Sequence, residues 1–162
     1  MPLFSQRRPF TLRRFLKSTS RRTFVVYPLV VMALEWLIWR GEMAWNILGV
    51  TLLVWGYGQY RLSGQCRSAH GGGGPGIDIP PTRVVETGIY ALTHNPMYLG
   101  HLIFMLGLVV TFYSVPAVLL LLSHVFWFQQ RVLEDEAQLQ TLFGVSFDAY
   151  RARVKRWIPG VI

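Results

Sequence analysis

MYLGHLIFMLGLVVTFYSVPAVLLLLSHVFWFQQRVL, residues 97 to 133, holds two apolar runs with almost nothing between them. Each run, 97 to 113 and 115 to 133, approaches the ~20 residues a helix needs to cross a bilayer, and Ser114 nearly alone divides them. Pro116 suits the first turn of the second helix, where its missing N–H costs little. The stretch predicts a tight helical hairpin whose two open ends emerge on one face. Two further runs, 24 to 39 and 44 to 60, lie upstream and are slightly short. The expected fold is all-α, a polytopic membrane helix bundle of about four transmembrane helices in one domain. It divides into a basic arm 1–23, two spans within 24–60, a loop 61–96, the hairpin 97–133 and a cytosolic helical tail 134–162.

The charge pattern gives this bundle an orientation. Of 162 residues 52% are apolar, yet the net charge is +8. A soluble nucleic-acid binder spreads basic residues over a polar surface, whereas here they lie between long apolar runs, so that class is excluded. Basic loops resist translocation. Seven of the 16 Lys and Arg precede the first run, Arg61, Arg67 and Arg83 fall in the central loop, and Arg131, Arg151, Arg153, Lys155 and Arg156 close the last. Only Arg40 falls on the other side. Both termini and the central loop are therefore expected in the cytoplasm, with the protein integral to the plasma membrane, or the inner membrane of a prokaryote. Trp36, Trp39 and Trp45 mark the outer interface, and Tyr57 and Tyr60 the inner one. Arg21-Arg22 precedes an apolar run as in an export signal, but no small-residue cleavage site follows, so the reading is an uncleaved first span.

Cys66 stands alone, which forbids an intramolecular disulfide and a cysteine metal site. It reads as a free thiol in a loop, and no metal centre is expected. GGGGPG, residues 71 to 76, reads as a flexible linker. Gly100 and Gly107, seven apart on one helix face, would let a neighbouring helix approach closely.

The hairpin brings TGIYALTHNPMYLG, residues 87 to 100, beside RVLEDEAQLQTLFGVSFDAYRARVKRWIP, residues 131 to 159. His94, Asn95, Tyr98, Arg131, Asp135 and Glu136 then gather next to an apolar bundle, which suits a polar ligand meeting an apolar one. Arg131 and Asp135 are four apart and share a helix face. They either pair with each other at the helix exit or face that ligand. Among the imidazoles, His94 reads as an interface residue, and His101 and His124 as bundle-facing residues with hydrogen-bond partners.

These two blocks together resemble the isoprenylcysteine carboxyl methyltransferase and phospholipid methyltransferase group of membrane enzymes. The first block matches at Gly88, Tyr90, His94, Asn95, Pro96, Tyr98 and Gly100. The second matches at Arg131, Asp135, Glu136, Leu139, Phe143, Gly144, Phe147, Tyr150, Val154 and Pro159. The resemblance implies an S-adenosylmethionine-dependent methyltransferase whose acceptor is lipophilic or membrane-resident, with a carboxylate, amine or thiol to be methylated. It also implies that Val84, Val85, Tyr90, His94, Asn95, Pro96, Met97 and Tyr98 line the cofactor, with Asp135 and Glu136 as the acidic pair beside it. Arg131 would face the acceptor, and Arg131, Asp135 and Glu136 would form the catalytic set. His94 stands in place of an arginine, Asp135 of a glutamate and Phe147 of a tyrosine. Two other readings stay open: an NADPH-dependent membrane lipid or sterol reductase, and a non-catalytic membrane protein whose basic arm holds anionic lipid or a partner.

Overall fold

In a computed structural model of the chain, residues 18–43, 45–72 and 81–157 are described. The basic arm up to residue 17 and most of the glycine-rich linker lie outside them. Every regular element among the described residues is helical.

A continuous helical path begins at Thr19–Arg21, passes through a π-helical segment Arg22–Val26 and continues as α1, Tyr27–Ile38. Then come α2, Ile47–Gly71, a 3-10 turn Gly88–Ala91, α3, Pro96–Phe112, α4, Val115–Phe143, and α5, Val145–Arg153. Local chemistry sets the boundaries. Asn46 caps α2 by accepting from the Leu48 amide at 2.9 Å. Pro96 and Pro116 fall in first turns, and Ser114 Oγ accepts from the Ala117 amide at 3.1 Å. Tyr113, with φ 51° and ψ 36°, supplies the left-handed residue that folds α3 against α4. The expected hairpin is there. Gly144 ends α4 and has φ 49°, but its ψ of −121° lies outside the left-handed helical region.

One length differs from expectation. The second helix runs on to Gly71, well into what was read as loop, so Cys66 sits on a helix and not in a loop. The last long helix continues past its apolar half through the acidic pair to Phe143. No proline interrupts either polar continuation, and Gly72 (φ 70°) and Gly144 supply the stops. Among the described residues no helix is long and apolar enough to cross a membrane. The reason is local: α3 has 17 residues, α1 has 12 once the π-helical turn is set apart, and α2 and α4 carry polar side chains along half their length.

The core is centred on α3. On the α2 side, a Cβ added at Gly56 would stand 2.5 Å from Phe104 N and 2.7 Å from Gly100 O. One added at Gly107 would stand 2.8 Å from Leu53 N. Only glycine permits this backbone contact, as the spacing of Gly100 and Gly107 suggested. On the α4 side, Met105, Phe128 and Val132 close a cluster with Tyr98. Phe104, Leu108 and Phe112 pack with Val31 and Ala117. His101 is fully buried, its ring stacked 4.6 Å from Phe24, and neither of its nitrogens has a hydrogen-bond partner among the described residues, contrary to expectation. His124 does have one, with Nε2 2.9 Å from the Tyr27 hydroxyl.

Candidate functional site

Where α3 begins and the apolar half of α4 ends, the chain encloses a cavity of about 170 Å³. Its construction follows from the loop that joins α2 to α3. Thr82 folds this loop back on the end of α2, its amide and hydroxyl both donating to Gly71 O at 2.8 and 2.9 Å. Arg83 Nε donates to His70 O. Val84 and Val85 are thereby laid along one wall. The 3-10 turn delivers Tyr90, and the start of α3 delivers His94, Asn95, Pro96, Met97 and Tyr98. From α4 come Arg131, Asp135, Glu136, Gln138 and Leu139.

The fourth side is a strap, α5 and the residues after it. Tyr150 lines the cavity and donates to Tyr90 O at 2.7 Å, and burial pushes both phenols up, so both stay protonated. Thr93 pairs with Lys155 in a parallel bridge, and the His94 amide donates to Lys155 O at 3.0 Å. Thr93 Oγ1 and Asn95 Nδ2 both donate to Arg156 O, at 2.8 and 3.3 Å. Trp157 Nε1 donates to Gln129 Oε1 at 2.9 Å. The two sequence blocks are thus joined directly.

All the residues expected at the site line this one cavity, but adjacent carboxylates have different surroundings. Asp135 Oδ2 accepts from the Tyr98 hydroxyl at 2.6 Å, and its Oδ1 lies 3.4 Å from Arg131 Nε. Burial lifts the Asp135 carboxyl above its ordinary value, against the pull of Tyr98 and Arg131. Glu136, 7% exposed, accepts two hydrogen bonds from Arg156, at 2.8 and 2.7 Å, and lies 3.7 Å from His94 Nδ1. Burial alone would raise Glu136; His94 and Arg156 outweigh it and hold the carboxyl down at about 2. Arg156 is correspondingly raised. Asp135 faces the cavity with capacity to spare, whereas Glu136 is taken up in holding the strap. The helical pairing of Arg131 with Asp135 is real, and both still line the cavity.

His94 lines the cavity with both ring nitrogens buried and without a hydrogen bond among the described residues. Such atoms are costly unless a ligand or water meets them. Six lining residues were not anticipated as site residues. Leu139, Phe147 and Tyr150 belong to the second block. Arg67 and Pro81 are contributed by the unexpected length of α2 and the fold-back of its loop, and Gln138 lies one turn beyond Asp135 on α4.

Both the helical architecture and the joined blocks fit one lineage. The profile of the phospholipid methyltransferase family matches residues 43–146, and the chain belongs to that family. It is also similar to the protein-S-isoprenylcysteine O-methyltransferase of Schizosaccharomyces pombe, 41% identical over 81 residues, which cover 47% of this chain and 33% of that protein. The matched region is about a third of that curated relative's length.

Proposed function

We propose that the protein is an S-adenosylmethionine-dependent methyltransferase acting on a lipophilic, membrane-resident acceptor. The observation that carries this reading is the cavity between the two blocks, in a chain of this family. Its donors and acceptors fit the cofactor. Asp135 offers a carboxylate to an ammonium or sulfonium. Val84, Val85, Met97 and Leu139 offer apolar walls, and His94 Nε2, buried without a hydrogen bond among the described residues, offers one to a heterocycle. When bound, S-adenosylmethionine supplies a methyl group on a cationic sulfur. Transfer of that group is an in-line displacement, so this chain's contribution is chiefly alignment and exclusion of water. Arg131, 39% exposed at the cavity edge, presents a planar fork to an acceptor carboxylate or phosphate. Asp135 holds the donor's amino end, and Tyr98 fixes the rotamer of Asp135. Glu136 acts through Arg156 by keeping the strap closed.

The name of the fission-yeast relative, an O-methyltransferase of protein S-isoprenylcysteine, supports an oxygen acceptor on a lipid-bearing molecule. A carboxylate acceptor needs no base, which agrees with a cavity whose Tyr90 and Tyr150 stay protonated. Membrane residence is supported by the outer face of the bundle. Large apolar side chains stand exposed along α1, α2 and α4, Phe126 at 74% among them, far beyond what a water-soluble surface carries. The cavity lies at the end rich in basic residues, which supports a cytoplasmic orientation of the site.

To test the function, the full chain in lipid nanodiscs would be given methyl-labelled S-adenosylmethionine with membrane lipid extract and prenylated cysteine analogues. Label in a lipophilic product that disappears with Arg131→Met supports the reading. No transfer to any lipophile contradicts it.

A further inference from the structure

Away from the cavity, one arginine stands where no carboxylate among the described residues answers its charge. Arg22, half-buried early in the first helical path, lays its guanidinium over the Trp127 ring, 5.5 Å from the ring centre. Its Nε is buried without a hydrogen-bond partner among the described residues. The described carboxylates lie elsewhere. Those of α4 and α5 meet Arg131, Arg156 and Gln140, and Glu86 meets Arg153. Glu35 and Glu42 belong to the opposite end of the first helix. An aromatic face attracts a cation but supplies no counter-charge.

Backbone geometry puts Arg22 there. It opens the π-helical segment, and the Tyr27 amide donates to its carbonyl across five residues. In an α-helix, residues five apart stand about 140° from each other, and the wider turn brings Arg22 and Tyr27 toward one side. The Tyr27 hydroxyl bonds His124 Nε2 on α4 at 2.9 Å, and His124 Nδ1 lies 2.9 Å from Leu120 O. That link fixes the first helical path against α4 and keeps Arg22 over Trp127. The level is that of the inner aromatic residues, since Ser20 donates to Tyr60 at 2.7 Å. Toward the bilayer, exposed apolar side chains follow on both helices, Val25 and Leu29 on the first, Leu119 and Leu122 on α4. A planar cation without a counter-charge, above an apolar surface, fits a lipid whose headgroup is a net anion; a zwitterionic headgroup brings a cation of its own. Resting on the membrane residence proposed above, we infer that Arg22 and Trp127 form a binding site for the phosphate of an anionic phospholipid in the cytoplasmic leaflet. Trp127 precedes Arg131 by one turn of α4, so this lipid would stand beside the cavity's edge.

The test is retention of lipid by the full chain in detergent, read by native mass spectrometry, with phosphatidylglycerol and phosphatidylcholine of identical acyl chains. The wild type should hold phosphatidylglycerol about 3- to 10-fold more tightly, the gain expected for one basic residue at an anionic headgroup. Arg22→Met and Arg22→Gln should each remove that preference with the melting transition unmoved, and Arg22→Lys should keep part of it. Arg61→Met, which removes an exposed charge on α2, should leave it intact. Equal retention of both lipids by the wild type, a preference untouched by the Arg22 variants, or one lost equally through Arg61→Met would each overturn the site. Displacement of the lipid by millimolar glycerol phosphate would overturn the lipid assignment in favour of a free phosphate. A wild type that retains neither lipid would overturn the membrane residence beneath the proposal.

Discussion

Two joints hold this molecule together, and they are made of opposite materials. The seam between α2 and α3 is backbone against backbone, with Gly56, Gly100 and Gly107 leaving no room for a side chain. The strap that lays α5 and residues 154 to 157 across the start of α3 is held by a few polar contacts, chief among them Arg156 on Glu136. The seam cannot loosen by degrees, because close packing has no partial state. The strap can, since each of its bonds can be exchanged for water at modest cost. A rigid seam carrying Met97 and Tyr98, with a releasable strap over them, is what a site needs if it must keep its geometry and still admit a ligand.

Substitutions should separate the two joints. Gly56→Ala places a methyl group 2.5 Å from Phe104 N, so the helices must part, at about 3 kcal/mol or more. Denaturation in detergent should register that loss directly. Arg156→Met should cost about 1 to 3 kcal/mol, because the buried Glu136 carboxylate loses both hydrogen bonds from its partly exposed partner. Hydrogen exchange should rise in residues 84 to 95 and 145 to 157 while the seam stays protected. Acid should do the same reversibly. Glu136 titrates at about 2 in the folded chain against an ordinary 4.5, so its contribution is complete above 4.5 and is lost as pH falls from there through about 2. Exchange in the strap should therefore accelerate over that window before the seam responds. Least of all, Arg153→Ala removes a pair with Glu86 in which both side chains are well exposed, and stability should change by less than about 1 kcal/mol.

The seam was legible in the sequence and the strap was only half so. Two glycines seven apart announce a close helix contact because spacing alone fixes their common face. The hairpin was equally plain, from Ser114 and Pro116 between apolar runs. The union of residues 87 to 100 with residues 131 to 159 followed from that hairpin and from the family resemblance. The division of labour between Asp135 and Glu136 could not be read, since neighbours on a helix point about 100° apart and only the folded tail shows which of them meets Arg156. Arg67 was hidden for a related reason. It looked like one more basic loop residue until α2 proved longer than its apolar part and Thr82 turned the loop back along it.

The central claim is that Asp135 faces a methyl donor in this cavity, and the most direct measurement is equilibrium binding of labelled S-adenosylmethionine to the full chain in nanodiscs. Saturable binding is expected in the wild type and should be about 10- to 100-fold weaker in Asp135→Asn, with the melting transition unmoved. Wild-type affinity should also fall with acid sooner than an ordinary aspartate would allow, because burial raises the Asp135 carboxyl. Undiminished binding in Asp135→Asn, or none in a folded wild type, would contradict the account.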